Sequence, residues 1–294
     1  MGGNTFKGLS RVKREDLNDL LHLVVDTLKF PGLTLDYLQN SLLGSTGKKE
    51  TSGDVDLCMN NYLLRFVGEP EYPVFDFKEF RGKLESSLGK QNVVKGSGTQ
   101  LFTKWGDYQV DFLFGPHDWM KFSHYSPTEE ESAYKGLFLV NSFGVLAKMK
   151  RDLLCFDLEG KRVAQVNMVF NLEKGLRRSW KMEKKNKWFL KVDDSLYKVS
   201  EFDNLKTVDP DEFETKVPFD RFERFFTCNP RDYLDMFFGK DVQFEQVNTF
   251  EKVVEFLRGK SVYPEFRQRL LDQHHRHSEM KRTVDYQELE RLMA

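Results

Sequence analysis

The chain has 294 residues, 39% of them hydrophobic and 14% aromatic, which is enough to bury one large core or two modest ones. Lys+Arg 45 against Asp+Glu 46 leave a formal net charge of −1, so a polyanionic partner has to be met by a local patch rather than by a global field. Cys58, Cys155 and Cys228 are far apart and odd in number, which argues against a disulfide framework and gives no zinc spacing. No window approaches the roughly 18 apolar residues of a membrane span. The opening "MGGNTFKGLS" lacks an apolar secretion core and sets Phe6 where a myristoylation signal needs Ser or Thr. A soluble cytoplasmic protein with no membrane partner is expected.

In chain order, Leu17, Leu20, Leu21, Val24, Val25 and Leu28 recur at helical spacing until Pro31-Gly32 stops them, and a short second helix is expected over 34–41. "DVDLCM" alternates polar and apolar residues as a strand does. Residues 75–88 are helical, with Phe77, Phe80, Leu84 and Leu88 on one face. Two β runs follow, 92–105 and 108–115, joined by a Gly106-Asp107 corner that suits a hairpin. In the second run Tyr108, Val110, Phe112 and Phe114 share one face, and Gln109, Asp111 and Leu113 share the other. A helix with a basic end is expected over 135–151. From "RVAQVNMVFNL" to "KWFLKV" the pattern is β-like again, including a hairpin around 174–191. From about 209 it reads as helical, with Phe222, Phe225, Phe226, Tyr233, Phe237 and Phe238 as core. The change of pattern near 150–160 divides the chain into a region 1–151 and a region 152–294.

The stretch "LLGSTGKKETSGDVDL", 42–57, looks first like a phosphate-binding P-loop. That motif needs a glycine five residues before its Gly-Lys pair and Ser or Thr after the lysine, whereas here Leu42 and Lys49 hold those places, and the strand follows the loop instead of preceding it. The aspartates carry more. Side chains two apart on a strand point to one face about 6–7 Å apart, so Asp54 and Asp56 can aim at one point while Val55 and Leu57 enter the core. A lone Asp-x-Asp is commonly a solvated strand edge. Asp111, between Val110 and Phe112 on a second apolar strand, makes it a possible triad, and three neighbouring carboxylates repel unless cations lie between them. Oxygen-only ligands favour magnesium, and a magnesium pair about 3.5–4 Å apart serves in-line phosphoryl transfer. Gly44-Ser45 ahead of the aspartates offers backbone N–H groups and a hydroxyl to a triphosphate, and Lys48 and Lys49 add charge.

Gly44-Ser45, a polar loop, the Asp54-Val55-Asp56 run in "SGDVDL" and the later apolar-Asp111-apolar strand together resemble the nucleotidyltransferase superfamily that includes DNA polymerase beta and poly(A) polymerases. The resemblance covers 17–151. Residues 111–136, "DFLFGPHDWMKFSHYSPTEEESAYKG", also resemble nucleotidyltransferases encoded by bacteriophages, which would put the protein in a host cytoplasm. The resemblance implies an α+β fold: a nucleotidyltransferase-type mixed β-sheet flanked by helices, then the β-hairpin region and a mainly helical C-terminal, substrate-binding domain. It implies that Asp54 and Asp56 bind both of two Mg2+ (or Mn2+) ions, that Asp111 binds the catalytic one and helps deprotonate the acceptor hydroxyl, and that Gly44 and Ser45 hold the β- and γ-phosphates of an NTP or dNTP. Two departures stand out: the interval from Ser45 to Asp54 is slightly short, and Thr46-Gly47-Lys48-Lys49 replaces an arginine pattern. The segment before Gly44 is also shorter than the lyase and fingers modules of polymerase beta, which argues against templated gap filling.

Basic and aromatic residues interleave over 174–191, so Arg177, Arg178, Trp180, Lys184, Lys185 and Lys187 are candidate contacts to a nucleic-acid acceptor; the same pattern fits a solvated hairpin with core tryptophans. Lys148, with Lys150 and Arg151, could reach a triphosphate or simply complement a helix dipole. His274, His275 and His277 fit a metal site or a solvated helix end, and His117 and His124 show no general-base pattern. The expected reaction is transfer of a nucleoside monophosphate to a hydroxyl, foremost a nucleic-acid 3′ end, with release of pyrophosphate. Transfer to a protein or a small molecule, a magnesium-dependent nuclease, and a non-catalytic nucleic-acid-binding or assembly protein remain open alternatives.

Overall fold

The computed structural model describes residues 5–60, 72–156, 162–180, 188–192, 195–198, 214–217 and 222–294. Its elements follow in chain order: β1 (Val12–Lys13), α1 (Leu17–Leu28), α2 (Leu35–Asn40), β2 (Thr51–Ser52), β3 (Val55–Met59), α3 (Phe77–Leu88), β4 (Val93–Lys95), β5 (Gln100–Trp105) and β6 (Tyr108–Phe114). The helix stops are local chemistry. Lys29 caps α1 in the left-handed region, the Thr34 side chain accepts from the Tyr37 N–H to open α2, and the Asp76 carboxylate accepts from the Glu79 N–H to open α3.

β3, β6, β5 and β4 form, in that order, a mixed four-stranded sheet: β3 and β6 run parallel, and the other two pairings are antiparallel. Val55, Leu57, Val110, Phe112 and Phe114 on one face meet Leu21, Val24 and Leu28 of α1 and Phe80 and Leu84 of α3 in one buried cluster. The opposite face is also covered: Cys58 and Leu113 pack with Leu43 and Met120. Asp111 therefore stands on a buried face rather than a solvated one.

The second half contains α4 (His117–Ser123), α5 (Gly136–Met149), β7 (Arg151–Phe156), β8 (Arg162–Asn171), β9 (Gly175–Trp180), β10 (Trp188–Val192), β11 (Ser195–Lys198), β12 (Glu214–Val217), β13 (Phe222–Thr227), α6 (Pro230–Phe237), α7 (Phe250–Leu257), α8 (Tyr263–Arg276), α9 (Ser278–Thr283) and α10 (Tyr286–Leu292). Among the described residues the strands join as β11-β10-β12-β7-β8-β9-β13, a seven-stranded sheet. Two expectations are corrected here. Among the described residues β9 and β10 do not pair with each other as a hairpin over 174–191: β9 pairs with β8 and β13, and β10 pairs with β11 and β12. The helical reading from 209 also fails: Phe222, Phe225 and Phe226 lie on β13, whose pairing with β9 overrides a spacing that suits either structure, and helices resume at Pro230. The α+β class with a mixed sheet holds. Side-chain packing changes between Phe114 and Trp119, ahead of the change in sequence pattern near 150–160, since Trp119, Phe122, Phe138 and Phe143 belong to the same buried cluster as Tyr233, Phe250 and Phe266.

Candidate metal centre

The parallel register of β3 and β6 sets Asp56 directly opposite Asp111, and in-register neighbours present their side chains on the same face. Asp54 enters from the residue before Val55. Ligand oxygens of Asp54, Asp56 and Asp111 all lie within 4.8 Å of one another. Asp54 and Asp56 are half-buried, and Asp111 is 1% exposed. Burial, and then the neighbouring Asp54 charge, holds the Asp56 carboxyl above its usual range. Burial, followed by the charges of Asp56 and Asp54, pushes Asp111 up to about 8, against the opposing effect of a hydrogen bond from Gln109. The Gln109 Nε2 donates to both Asp111 oxygens, at 2.9 and 3.1 Å, from the same face of β6.

The segment ahead of β3 folds back along it. The Leu43 N–H donates to the Asp56 carbonyl at 2.9 Å and the Cys58 N–H to the Ser41 carbonyl at 2.7 Å, so Gly44 arrives beside the aspartates. Gly44 has φ +62, a left-handed conformation that favours glycine, and a Cβ there would make an ordinary contact with Asp56 Oδ2 at 3.4 Å. Buried Thr46 ties the loop down: its Oγ1 accepts from the Asp56 N–H at 3.4 Å and donates to the Asp54 carbonyl at 3.5 Å. A cleft of about 320 Å³ opens over Gly44, Ser45, Asp54 and Asp56. Its far wall comes from Tyr125, the start of α5 at Lys135-Gly136, and Leu172.

No family model, no curated protein and no solved structure matches this chain. The geometry alone therefore has to say what the cleft can do.

Three carboxylates forced together in a low-dielectric corner fit a hard divalent cation, and one atom makes the fit sharper. Asp54 Oδ2 is buried and has no hydrogen-bond partner among the described residues, which costs free energy unless something else satisfies it. Among the described residues this is the one group of three acidic, His or Cys side chains placed to hold a metal ion. The histidine cluster is not such a group: the buried His274 pairs Nε2 with the Val284 carbonyl at 3.0 Å, and His275 stacks on Tyr286.

Of the expected phosphate contacts, Gly44, Ser45 and Lys49 line the cleft, and Lys49 is ion-paired with Glu129 at 3.0 Å. Lys48 turns away, donating to the Ser126 carbonyl at 2.8 Å over the Tyr125 ring. Lys148 lies elsewhere, in a cleft that α5 forms with Glu265, Arg269 and Asp272 of α8. Arg177 is a half-buried residue of β9, Arg178 and Trp180 lie on the same strand, and Lys184, Lys185 and Lys187 fall outside the described residues. Sequence reasoning missed Arg11, Tyr125 and Lys135 and gave His124 no role, yet all four line the cleft. Arg11 donates to the Thr51 hydroxyl at 2.9 Å, and burial lowers the His124 imidazole to about 4, so it is neutral at physiological pH. None of these four sits in a local pattern that marks it. Among the described residues no helix is long and apolar enough to cross a membrane.

Proposed function

We propose that this protein is a metal-dependent nucleotidyltransferase, built on a nucleotidyltransferase-type core and acting in the cytoplasm, that transfers a nucleoside monophosphate from an NTP or dNTP to a hydroxyl acceptor. A nucleic-acid 3′ end is the proposed acceptor, on the strength of the basic and aromatic residues over 174–191. The observation that carries the reading is that Asp54 and Asp56 line a cleft beside the Gly44-Ser45 turn while Asp111, buried behind its surface, brings a ligand oxygen within 4.8 Å of theirs.

Asp54, Asp56 and Asp111 would hold Mg2+ or Mn2+, which when bound supplies the positive charge that offsets the phosphates and makes the attacking hydroxyl more acidic. The chain's own residues divide the remaining work. Gly44 makes the left-handed turn that sets Ser45 beside the aspartates, and the Ser45 hydroxyl can donate to a phosphate oxygen. Arg11 and Lys135, on opposite walls, add positive charge where the leaving pyrophosphate would lie. Leu137, Val140 and Leu172 line the cleft with apolar surface that excludes water. In the transfer itself the acceptor oxygen bonds to the α-phosphorus, the bond to the β-phosphate oxygen breaks, pyrophosphate departs and the hydroxyl proton passes to Asp111, held in orientation by Gln109. Catalysis by positioning and electrostatics needs no covalent intermediate.

The test is a transfer assay with labelled NTPs and dNTPs, Mg2+ or Mn2+, and total cellular RNA, DNA and protein as acceptors. We expect a labelled acceptor with the parent protein and a loss of at least about a hundredfold with Asp54→Ala plus Asp56→Ala, in line with removal of metal-centred electrostatics. Transfer that persists unchanged in the double variant would show the site assignment to be wrong.

A further inference from the structure

Behind the Gly44 segment lies a second cleft, lined on one side by Leu42, Leu43 and Gly44 and on the other by α4 and the turn after it. It shares Gly44, His124 and Tyr125 with the triad cleft but none of the three aspartates. Two cations enter it. Lys121 of α4 is half-buried and donates to the Leu42 carbonyl at 3.1 Å; Lys48 comes from the loop and donates to the Ser126 carbonyl. Neither makes a salt bridge among the described residues, although most of their neighbouring charges are paired. Desolvation lowers the pKa of both ammonium groups; at Lys48 the Glu131 charge opposes that shift and the charge of Lys121 adds to it. Two like charges gathered at one cleft, each donating to a backbone carbonyl and neither ion-paired among the described residues, are complementary to an anion.

The acidic groups nearby are otherwise engaged. Asp118, on the rim, is mostly exposed and meets His117 Nδ1 at 3.4 Å. The Glu131 carboxylate, which acts on Lys48 through space, accepts from the Thr128 N–H at 2.7 Å and from the Tyr125 hydroxyl. The remaining wall is aromatic: Phe244 packs edge-on against both Phe122 and Tyr125, at 5.2 and 5.1 Å between ring centroids. Such a wall suits a planar ring attached to the anion.

We propose that this second cleft binds the phosphate group of a nucleoside monophosphate or of a nucleic-acid terminus, gripped by Lys48 and Lys121 and flanked by the Phe122–Tyr125–Phe244 wall. The site is independent of the metal centre, so it stands or falls separately from the transferase reading.

Calorimetric titration of the full chain in EDTA tests the proposal, because without a divalent cation the triad repels phosphate. The probes are inorganic phosphate, AMP and a 5′-phosphorylated oligonucleotide beside its unphosphorylated form. We expect saturable binding of at least one phosphate-bearing probe, weakened about tenfold by Lys48→Met and again by Lys121→Met, the scale of one charge-assisted hydrogen bond. Asp54→Asn should leave it intact. Lys48 is exposed, so Lys48→Met keeps the test valid even where Lys121→Met disturbs folding. AMP binding more tightly than inorganic phosphate would assign the aromatic wall to a base, and preference for the phosphorylated oligonucleotide would assign the site to a nucleic-acid end. No saturable binding by any phosphate-bearing probe, or binding that both lysine variants leave unchanged, overturns the proposal.

Discussion

Gly44 shows how closely backbone conformation and chemistry are joined at this site. At φ +62 an alanine takes on left-handed strain, although its Cβ would make only an ordinary contact with Asp56 Oδ2, at 3.4 Å. Gly44→Ala should therefore lower stability by about 1 kcal/mol or more and weaken Mn2+ binding with it, measured by denaturant unfolding and by titration of the same sample. Unchanged stability would mean that the turn relaxes freely. The three aspartates and the Gly44-Ser45 pair were legible because Asp-x-Asp on a strand has a fixed facing, and because Asp111 alternates with apolar neighbours. Of the two readings open for Lys148, its place in the last turn of α5 fits the helix-dipole one: a charge at a helix end looks the same whichever cleft the helix faces, and α5 turns it toward α8. Arg11 and Lys135 reach the cleft through tertiary packing, which no local spacing encodes.

At the scale of elements, α1, α3, β5 and β6 followed from periodicity, since each is long enough to repeat its pattern and ends at a recognisable stop. Two elements did not follow. α4 spans only His117–Ser123, about two turns after Pro116, too short to establish a face. β13 carries aromatic residues at a spacing that helix and strand both tolerate, and only its partner β9 decides between them. The aromatic packing that joins α4, α5, β8 and α6 was equally hidden. Phe143 is fully buried, stacks on Phe122 at 5.1 Å, and also meets Phe170, Tyr233 and Phe238. Phe143→Ala should cost about 3–5 kcal/mol, read as a lowered denaturant midpoint. A loss below about 1 kcal/mol would show that this junction contributes little to holding the elements together.

Across the whole molecule, the metal centre draws on the buried cluster under β3 and β6, while the opposite wall of its cleft comes from residues after Phe114. Folding crowds the carboxylates at a cost, and the sign of that cost sets the pH dependence. Asp56 and Asp111 have folded pKa values raised above the unfolded carboxyl range, so without metal their contribution is most favourable below that range and is lost as pH rises, for Asp111 through about 8. A bound cation reverses the balance by stabilising the ionised forms. The most direct measurement is the thermal unfolding midpoint of the full chain from pH 6 to 9, with EDTA or with Mn2+, for the parent protein and for Asp111→Asn. The account predicts that the metal-free midpoint falls as pH rises and that Mn2+ restores it increasingly toward pH 9, by about 2.7 kcal/mol at a hundredfold excess over Kd. It further predicts that Asp111→Asn flattens the metal-free decline and loses most of the Mn2+ effect. A midpoint that ignores Mn2+ at pH 8 to 9, or an equal Mn2+ response in Asp111→Asn, would contradict the assignment of Asp54, Asp56 and Asp111 as a metal centre.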